Sequence, residues 1–139
     1  MSDIFGIVPP MVTPFTADGG IDTNAIRADA TYLVETALVH GLAVCGSTGE
    51  GHTLTTEETR LITQTALDAV NGAVPVITGI ITDSTHGSVE RGKAVAGLGV
   101  AALQVTPVHY LFRPTDDAMV DHFRTLTEET GLPVMIYNV

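Results

Sequence analysis

The chain has 139 residues, one cysteine and a formal net charge of −10 at pH 7. This negative charge argues against binding to nucleic acid or to an anionic membrane surface. The single cysteine, Cys45, excludes an internal disulfide framework and is typical of a reducing compartment. No apolar run approaches the roughly 20 residues that span a bilayer, and no signal-peptide pattern is visible, so we expect a cytoplasmic protein.

Strand-like apolar runs and helix-like periodicities alternate along the whole chain. The predicted strands cover residues 4–12, 42–45, 75–81, 100–106 and 133–137. The predicted helices cover residues 22–40, 55–70, 84–97 and 115–130. Thr55 with Glu58 forms a capping-box pattern, and Asn71 with Gly72 is a typical helix end.

Strict alternation of strands and helices predicts an α/β fold with a parallel sheet covered by helices. Two architectures have this pattern: an open doubly wound sheet, and a (β/α)8 barrel of typically about 250 residues. A dinucleotide-binding open sheet carries G-x-G-x-x-G after its first strand. Here that place holds Thr-Pro-Phe at residues 13–15, which argues against such a domain.

The sequence Gly-Ser-Thr-Gly-Glu at residues 46–50 lies between a predicted strand and a predicted helix. Two adjacent hydroxyls and the N–H groups of a glycine-flanked turn can hold a small carboxylate. We therefore take Ser47, Thr48 and Gly49 as candidate substrate-binding residues. A turn that is satisfied by its own backbone is the alternative interpretation.

Four motifs resemble those of the dihydrodipicolinate synthase / N-acetylneuraminate lyase family. They are the opening segment at residues 6–15, the loop at 46–50, Thr106-Pro107 with Tyr110, and Tyr-Asn-Val at 137–139. The resemblance runs over the whole chain, in order and with the family's spacing. It implies a (β/α)8 TIM barrel, of which residues 1–139 form the N-terminal part, with about five strands and four helices of a single domain.

The resemblance also implies an activity: a class I aldolase, lyase or synthase that acts on pyruvate or another 2-oxo acid through a lysine Schiff base. The expected partners are this 2-oxo acid and an aldehyde, and the expected assembly is a homo-oligomer, a tetramer or a dimer. No cofactor is expected. The histidine spacing does not predict a metal site either.

The resemblance assigns catalytic roles to Tyr137, Thr48 and Tyr110. Tyr137 would shuttle a proton through a relay with Thr48, and Tyr110 would complete this relay in a neighbouring subunit. The segment around Tyr110 differs from the commoner family sequences, so His109 is a competing candidate. The other reading of Tyr137 is a core tyrosine with a paired hydroxyl.

The family's Schiff-base lysine lies on the sixth strand, beyond the Tyr motif, and the sequence ends before that point. The only lysine present is Lys93, which we interpret as a solvated helix charge. We therefore expect residues 1–139 alone to be inactive and the intact protein to be the enzyme. A non-catalytic domain that binds a small carboxylate, or that serves as an interaction module, remains the alternative. A serine hydrolase with Ser47 as nucleophile is excluded, because the G-x-S-x-G motif is incomplete.

Overall fold

The computed structural model describes residues 4–108 and 113–138 of the chain. Within them lie four helices: α1 (Thr23–Glu35), α2 (Thr56–Val70), α3 (Thr85–Ala96) and α4 (Asp116–Thr130). There are also four strands: β1 (Leu42–Val44), β2 (Val76–Ile80), β3 (Ala102–Val105) and β4 (Val134–Ile136). Strands and helices alternate, which confirms the α/β fold class.

The caps explain why the helices begin and end where they do. Every helix has an N-cap side chain that accepts a backbone N–H: Asp22, Thr55, Ser84 and Thr115. Thr55 and Glu58 form the predicted capping box in both directions. Asn71 and Gly131 end α2 and α4 in the left-handed conformation, with φ of 46° and 68°. The boundaries of these two helices are therefore set largely by local sequence.

The four strands form one parallel sheet in the order β1-β2-β3-β4, which is also their order along the chain. Successive helices contact each other, α1 with α2, α2 with α3 and α3 with α4. Parallel crossovers are right-handed, so a sheet wound in one direction carries all its helices on one face. The structure thus has a sheet layer and a single helix layer.

The core lies between these two layers. One cluster joins α1 and α2 to β1 and β2, around Ile26, Leu42, Ile62 and Val76. A second cluster joins α3 and α4 to β2 and β3, around Ile80, Val95, Leu103 and Leu126. Along each strand, residues that point into this core alternate with residues that point to the other face of the sheet. On that other face, the strand register aligns Gly79 of β2, Gln104 of β3 and Met135 of β4.

The first predicted strand, residues 4–12, is not a strand in the structure. The segment is reduced to a parallel bridge between Pro10 and Ala43. Met11 N donates to Ala43 O at 2.8 Å, and Ala43 N donates to Pro9 O at 3.1 Å. Pro9 and Pro10 have no N–H, so the ladder cannot extend along the segment. The described residues therefore contain four strands, where the sequence predicted five.

The first helix ends at Glu35, five residues before the predicted end at His40. Residues 36–40 turn back, with Leu38 at φ 55°. His40 then pairs with the N-terminal segment: Ile7 N donates to His40 Nδ1 at 3.0 Å, and His40 N donates to Ile7 O at 2.8 Å. This long-range pairing outweighs the helical periodicity of the segment.

No helix in the described ranges is long and apolar enough to cross a membrane.

Large apolar side chains are exposed at both sides of the sheet. Phe5, Ile7 and Val12 are more than half exposed beside β1, and Ile136 on β4 is 58% exposed. Among the described residues β4 is paired on one side only. An unpaired strand edge next to apolar surface favours association.

We expect a polypeptide of residues 1–139 alone to self-associate, because these apolar side chains and the β4 edge would otherwise face water. Light scattering coupled to size-exclusion chromatography should show a mass above that of a monomer, rising with concentration. A monomer at all concentrations that unfolds in one cooperative transition would contradict this expectation.

Candidate functional site

The candidate residues share one edge of the sheet. The strands are parallel, so the segments that follow their C-terminal ends emerge on the same side. Ser47 and Thr48 follow β1, Thr106 follows β3 and Tyr137 follows β4 directly. Ligands of α/β proteins bind at this edge. The structure therefore places Ser47, Thr48 and Tyr137 at the same edge of the sheet.

The β1–α2 loop, residues 45–55, is a compact turn that leads from β1 to the N-cap of α2. Gly51 N donates to Gly46 O at 3.0 Å, and Glu50 N donates to Ser47 O at 3.1 Å. Cys45 and Glu50 both have left-handed backbone, with φ of 57° and 55°. Non-glycine residues adopt this conformation infrequently, and it marks turns whose shape is fixed by their surroundings.

The tip of the loop offers two hydroxyls to solvent. Ser47 and Thr48 are exposed, whereas Gly49 behind them is buried. Across residues 4–108 and 113–138, neither hydroxyl forms a hydrogen bond. By contrast, the Thr53 hydroxyl in the same loop donates to Glu50 O at 2.8 Å. The two hydroxyls are thus available to donate to a bound carboxylate, which weakens the interpretation of a self-satisfied turn.

The N-terminal segment supports the loop from one side. Thr13, which is buried, donates its hydroxyl to Gly49 O at 2.6 Å. A Cβ on Gly49 would lie 2.9 Å from Met11 O, so only glycine allows this approach. The N-terminal segment, which pairs with β1 only through an isolated bridge, therefore positions the β1–α2 loop.

Strand β2 supports the loop from the other side. A Cβ on Gly79 would lie 2.4 Å from Cys45 O, and one on Gly51 would lie 1.9 Å from the same atom. Backbone thus packs directly against backbone where β1 ends. Gln104 lies one strand further, and its Oε1 is 3.8 Å from the position of a Cβ on Gly46.

Tyr137 is partly buried and its backbone N–H donates to Val105 O at 2.8 Å. This bond continues the β3–β4 pairing by one residue. Alternation along the strand predicts that Tyr137 points to the same face as Met135, the face opposite the helices. No hydrogen bond joins Tyr137 to Thr48 in the described structure. Their proposed relay therefore stays a prediction.

Tyr110 and its competitor His109 lie outside the described residues.

Lys93 lies on α3, with its side chain half exposed, and its Nζ is 2.5 Å from Glu129 Oε2 on α4. The ion pair keeps the amine on the helix layer, away from the sheet edge that holds the loop. This hydrogen bond also lowers the pKa of Glu129. The location agrees with the interpretation of Lys93 as a helix surface charge.

Cys45 and His122 are both buried, Cys45 at the end of β1 beside α2 and His122 on α4. Desolvation raises the pKa of the Cys45 thiol to about 12, so the thiol stays protonated and unreactive. His122 Nδ1 is 2.9 Å from Thr85 Oγ1, and burial lowers the pKa of this histidine. No cluster of potential metal ligands was found among the residues that the structure describes.

Two supporting residues were not predicted as part of the site, Thr13 and Arg91. Thr13 lies in the opening motif at residues 6–15 and in its Thr-Pro-Phe end, and nothing local reveals its bond to Gly49. Arg91 on α3 donates to carbonyls of the β1–α2 loop. A usable signal existed for Arg91, since it lies in the buried stripe that Ser88, Gly92 and Val95 form at helical spacing.

Comparison with known proteins yields a consistent set of relatives. The model of the dihydrodipicolinate synthetase family matches residues 3–139. A 4-hydroxy-tetrahydrodipicolinate synthase of Rickettsia bellii is 36% identical over 100% of this chain and 47% of its own length. The enzyme of the same name from Moorella thermoacetica is 40% identical over 96% of this chain and 45% of its own length.

Solved structures agree with the fold. A dihydrodipicolinate synthase from Bacillus anthracis superposes with a TM-score of 0.90 at 36% identity, covering 100% of this chain and 47% of that protein. An N-acetylneuraminate lyase from Mycoplasma synoviae superposes with a TM-score of 0.86 at 26% identity, covering 95% and 45%. The chain thus spans about half the length of the relatives it matches.

Proposed function

The chain belongs to the dihydrodipicolinate synthetase family, and from this premise we propose that the intact protein is a Schiff-base-forming lyase or synthase that acts on pyruvate or a related 2-oxo acid. The observation that carries the proposal is the β1–α2 loop. Its two exposed hydroxyls form no hydrogen bond among the described residues, and they lie at the edge of a parallel sheet where α/β proteins bind ligands. The relatives that match are named as synthases and lyases, which favours this proposal over a non-catalytic binding or interaction domain.

We propose that residues 1–139 are the N-terminal part of a (β/α)8 barrel. The strand order β1-β2-β3-β4 with a single layer of helices supports this, because a barrel is wound in one direction whereas a doubly wound sheet reverses. Four strands and four helices over about half the length of the relatives also fit an eightfold repeat.

In this proposal the β1–α2 loop binds the substrate carboxylate. The Ser47 and Thr48 hydroxyls donate to its oxygens, and the N–H groups near Gly49 assist. Glu50 has its backbone within the turn, and we assign it no proton-transfer step. The carboxylate end of the 2-oxo acid is thereby fixed, with its carbonyl carbon directed to the interior of the barrel.

The carbonyl carbon is attacked by the amine of a lysine, which we place on a strand after Val139, because Lys93 is paired with Glu129 on the helix layer. The attack gives a carbinolamine, and loss of water gives the Schiff base. A lysine in a low-dielectric interior has the lowered pKa that makes it nucleophilic at neutral pH. The imine then withdraws electrons, so the neighbouring carbon loses a proton and can add to an aldehyde.

Tyr137 is the group we assign to proton transfer at the carbinolamine. An unperturbed phenol has a pKa near 10, so it needs a hydrogen-bonded partner to exchange protons at neutral pH. Thr48 is the proposed partner in the same chain. Tyr110, with His109 as the competitor, is the proposed third member from a neighbouring subunit of a homo-oligomer. We place this assembly in the cytoplasm.

Deuterium exchange tests the proposal without knowledge of the aldehyde. The full-length protein should exchange the methyl protons of pyruvate with D2O, because the Schiff base acidifies them, and proton NMR follows the loss of signal. Absence of catalysed exchange by a folded protein that binds pyruvate would overturn the proposal and favour a binding domain.

Ser47→Ala should raise the KM for pyruvate in this exchange by about 10–100-fold, the value of one hydrogen bond to a charged group, while kcat changes little. Thr53→Val is the matched control, since the Thr53 hydroxyl lies in the same loop but is already bonded to Glu50 O. Its KM should stay near that of the wild type. An unchanged KM in Ser47→Ala would remove Ser47 from the carboxylate site.

A further inference from the structure

The guanidinium of Arg91 ties α3 to the β1–α2 loop. Arg91 Nη1 donates to Gly51 O at 2.8 Å and to Ile81 O at 3.2 Å. Nη2 donates to Leu54 O at 2.7 Å. One side chain thus holds two carbonyls of the loop and one carbonyl just beyond the end of β2. Both loop carbonyls lie between the Ser47-Thr48 tip and the start of α2.

The two loop carbonyls that Arg91 binds belong to residues 51–54, the part of the loop between its tip and the N-cap of α2. Gly51 is the residue whose N–H closes the turn onto Gly46 O. Leu54 precedes Thr55, the N-cap of α2. The planar fork of an arginine matches several acceptors at once, and it keeps its charge at any pH that proteins tolerate. Arg91 therefore sets where the turn sits relative to β2.

Arg91 differs in its surroundings from the cations that form ion pairs. Its Nε is fully buried and has no hydrogen-bond partner in the described structure. Arg27, Lys93, Arg113 and Arg124 each pair with a carboxylate at the surface. Within residues 4–108 and 113–138 no carboxylate pairs with Arg91, whose bonds all go to backbone carbonyls. Its positive charge is therefore not neutralised by an ion pair.

The field of this charge reaches the loop. Arg91 acts on Cys45, the first residue of the loop, and lowers the pKa of its thiol, although the larger effect of burial raises that pKa overall. A positive charge stabilises an anion bound nearby, and the effect is larger where water is excluded. The loop that Arg91 holds is also the loop that presents the exposed hydroxyls of Ser47 and Thr48, which form no hydrogen bond in the part of the chain that the structure describes.

We propose that Arg91 is a positioning residue of the carboxylate site. It fixes the β1–α2 loop through Gly51 and Leu54, and it adds an unneutralised positive charge behind the turn that receives the substrate carboxylate. The substrate in this inference rests on the proposed function, whereas the fixing of the loop by Arg91 does not.

Two measurements on the full-length protein test the inference. The first is the rate at which iodoacetamide alkylates Cys45, followed by mass spectrometry of the peptide that contains it. Cys45 is buried at the start of the loop, so we expect its thiol to react only when the loop opens. Arg91→Met should raise this rate by about tenfold or more, because the fork that holds the loop closed is lost. Loss of the charge alone would slow the reaction, since it raises the pKa of the thiol. The second is pyruvate methyl exchange, in which Arg91→Met should raise the KM by about tenfold with a smaller change in kcat.

Lys93→Met is the matched control, because it removes a cation from the same helix without touching the loop. It should leave both the alkylation rate and the KM unchanged. Arg91→Lys keeps the charge but lacks the planar fork, so its alkylation rate should also rise, and it serves as the test if Arg91→Met fails to fold.

The outcomes separate this inference from the proposed function. Folded Arg91 variants with wild-type alkylation rates and a wild-type KM would overturn it. A rise in alkylation with no change in KM would overturn the role in carboxylate binding. If the wild type shows no exchange at all, the proposed function fails, and the alkylation rates alone decide whether Arg91 fixes the loop.

Discussion

Replacing Tyr137 by phenylalanine in the full-length protein is expected to lower turnover by about 10²–10⁴-fold, the usual contribution of a positioned proton-transfer group. Phenylalanine keeps the ring and the backbone bond from the Tyr137 N–H to Val105 O, so β4 should pair as before. Only the hydroxyl is lost. Pyruvate binding should survive better than turnover, because in the proposed site the β1–α2 loop holds the carboxylate.

Thr48→Val removes the other hydroxyl of the proposed relay, the partner of Tyr137. It should lower turnover to a similar degree, and it should also weaken pyruvate binding, since we propose both roles for Thr48. The double variant should lose little more than the single variants if the two hydroxyls act as a unit. Full activity in Tyr137→Phe would remove Tyr137 from the proton-transfer step and leave it a residue of the sheet.

Gly51→Ala is expected to cause the largest loss of stability of any single methyl group added at the site. The new Cβ would lie 1.9 Å from Cys45 O and 2.7 Å from Cys45 C, so backbone atoms must move. Forced overpacking usually costs about 1–3 kcal/mol, and contacts with backbone lie at or above the top of this range. Urea unfolding should show a lower free energy of unfolding. Because the turn closes at Gly51, the KM for pyruvate should rise too.

Gly97→Ala is the matched control for this substitution. Gly97 has a φ of −82° at the end of α3, and a Cβ there would meet nothing within 4 Å. Its free energy of unfolding should change little or increase slightly, since alanine restricts the unfolded chain. A Gly51→Ala protein as stable as this control would show that the β1–α2 loop is not held in the tight turn described above.

Much of the fold followed from the sequence because its determinants are local. The capping box at Thr55 and Glu58, the caps at Ser84 and Thr115, and the left-handed ends at Asn71 and Gly131 each depend on a few neighbouring residues. The strands came from short apolar runs between such signals. The α/β alternation was predictable for the same reason.

The incorrect expectations concern residues whose conformation is decided by distant partners. Helix α1 stops early because His40 pairs with Ile7, more than thirty residues away in sequence. The segment before Met11 pairs with β1 only briefly, since Pro9 and Pro10 lack N–H groups. Periodicity alone cannot detect either effect.

The site was predictable in part. The Gly-Ser-Thr-Gly-Glu sequence identified the β1–α2 loop, because its residue types suit anion binding wherever they occur. The residues that hold the loop were not predicted, since Thr13 and Arg91 reach it from other parts of the chain. The sequence could indicate candidate binding groups, but not the groups that keep them in place.

We propose that this loop serves a lysine Schiff base in the intact protein. Reduction of the full-length protein with borohydride in the presence of pyruvate, followed by mapping of the modified peptide by mass spectrometry, tests this proposal. We expect one covalent adduct, on a lysine C-terminal to Val139, and none on a polypeptide of residues 1–139. An adduct on Lys93, or no adduct on a folded full-length protein that binds pyruvate, would contradict it.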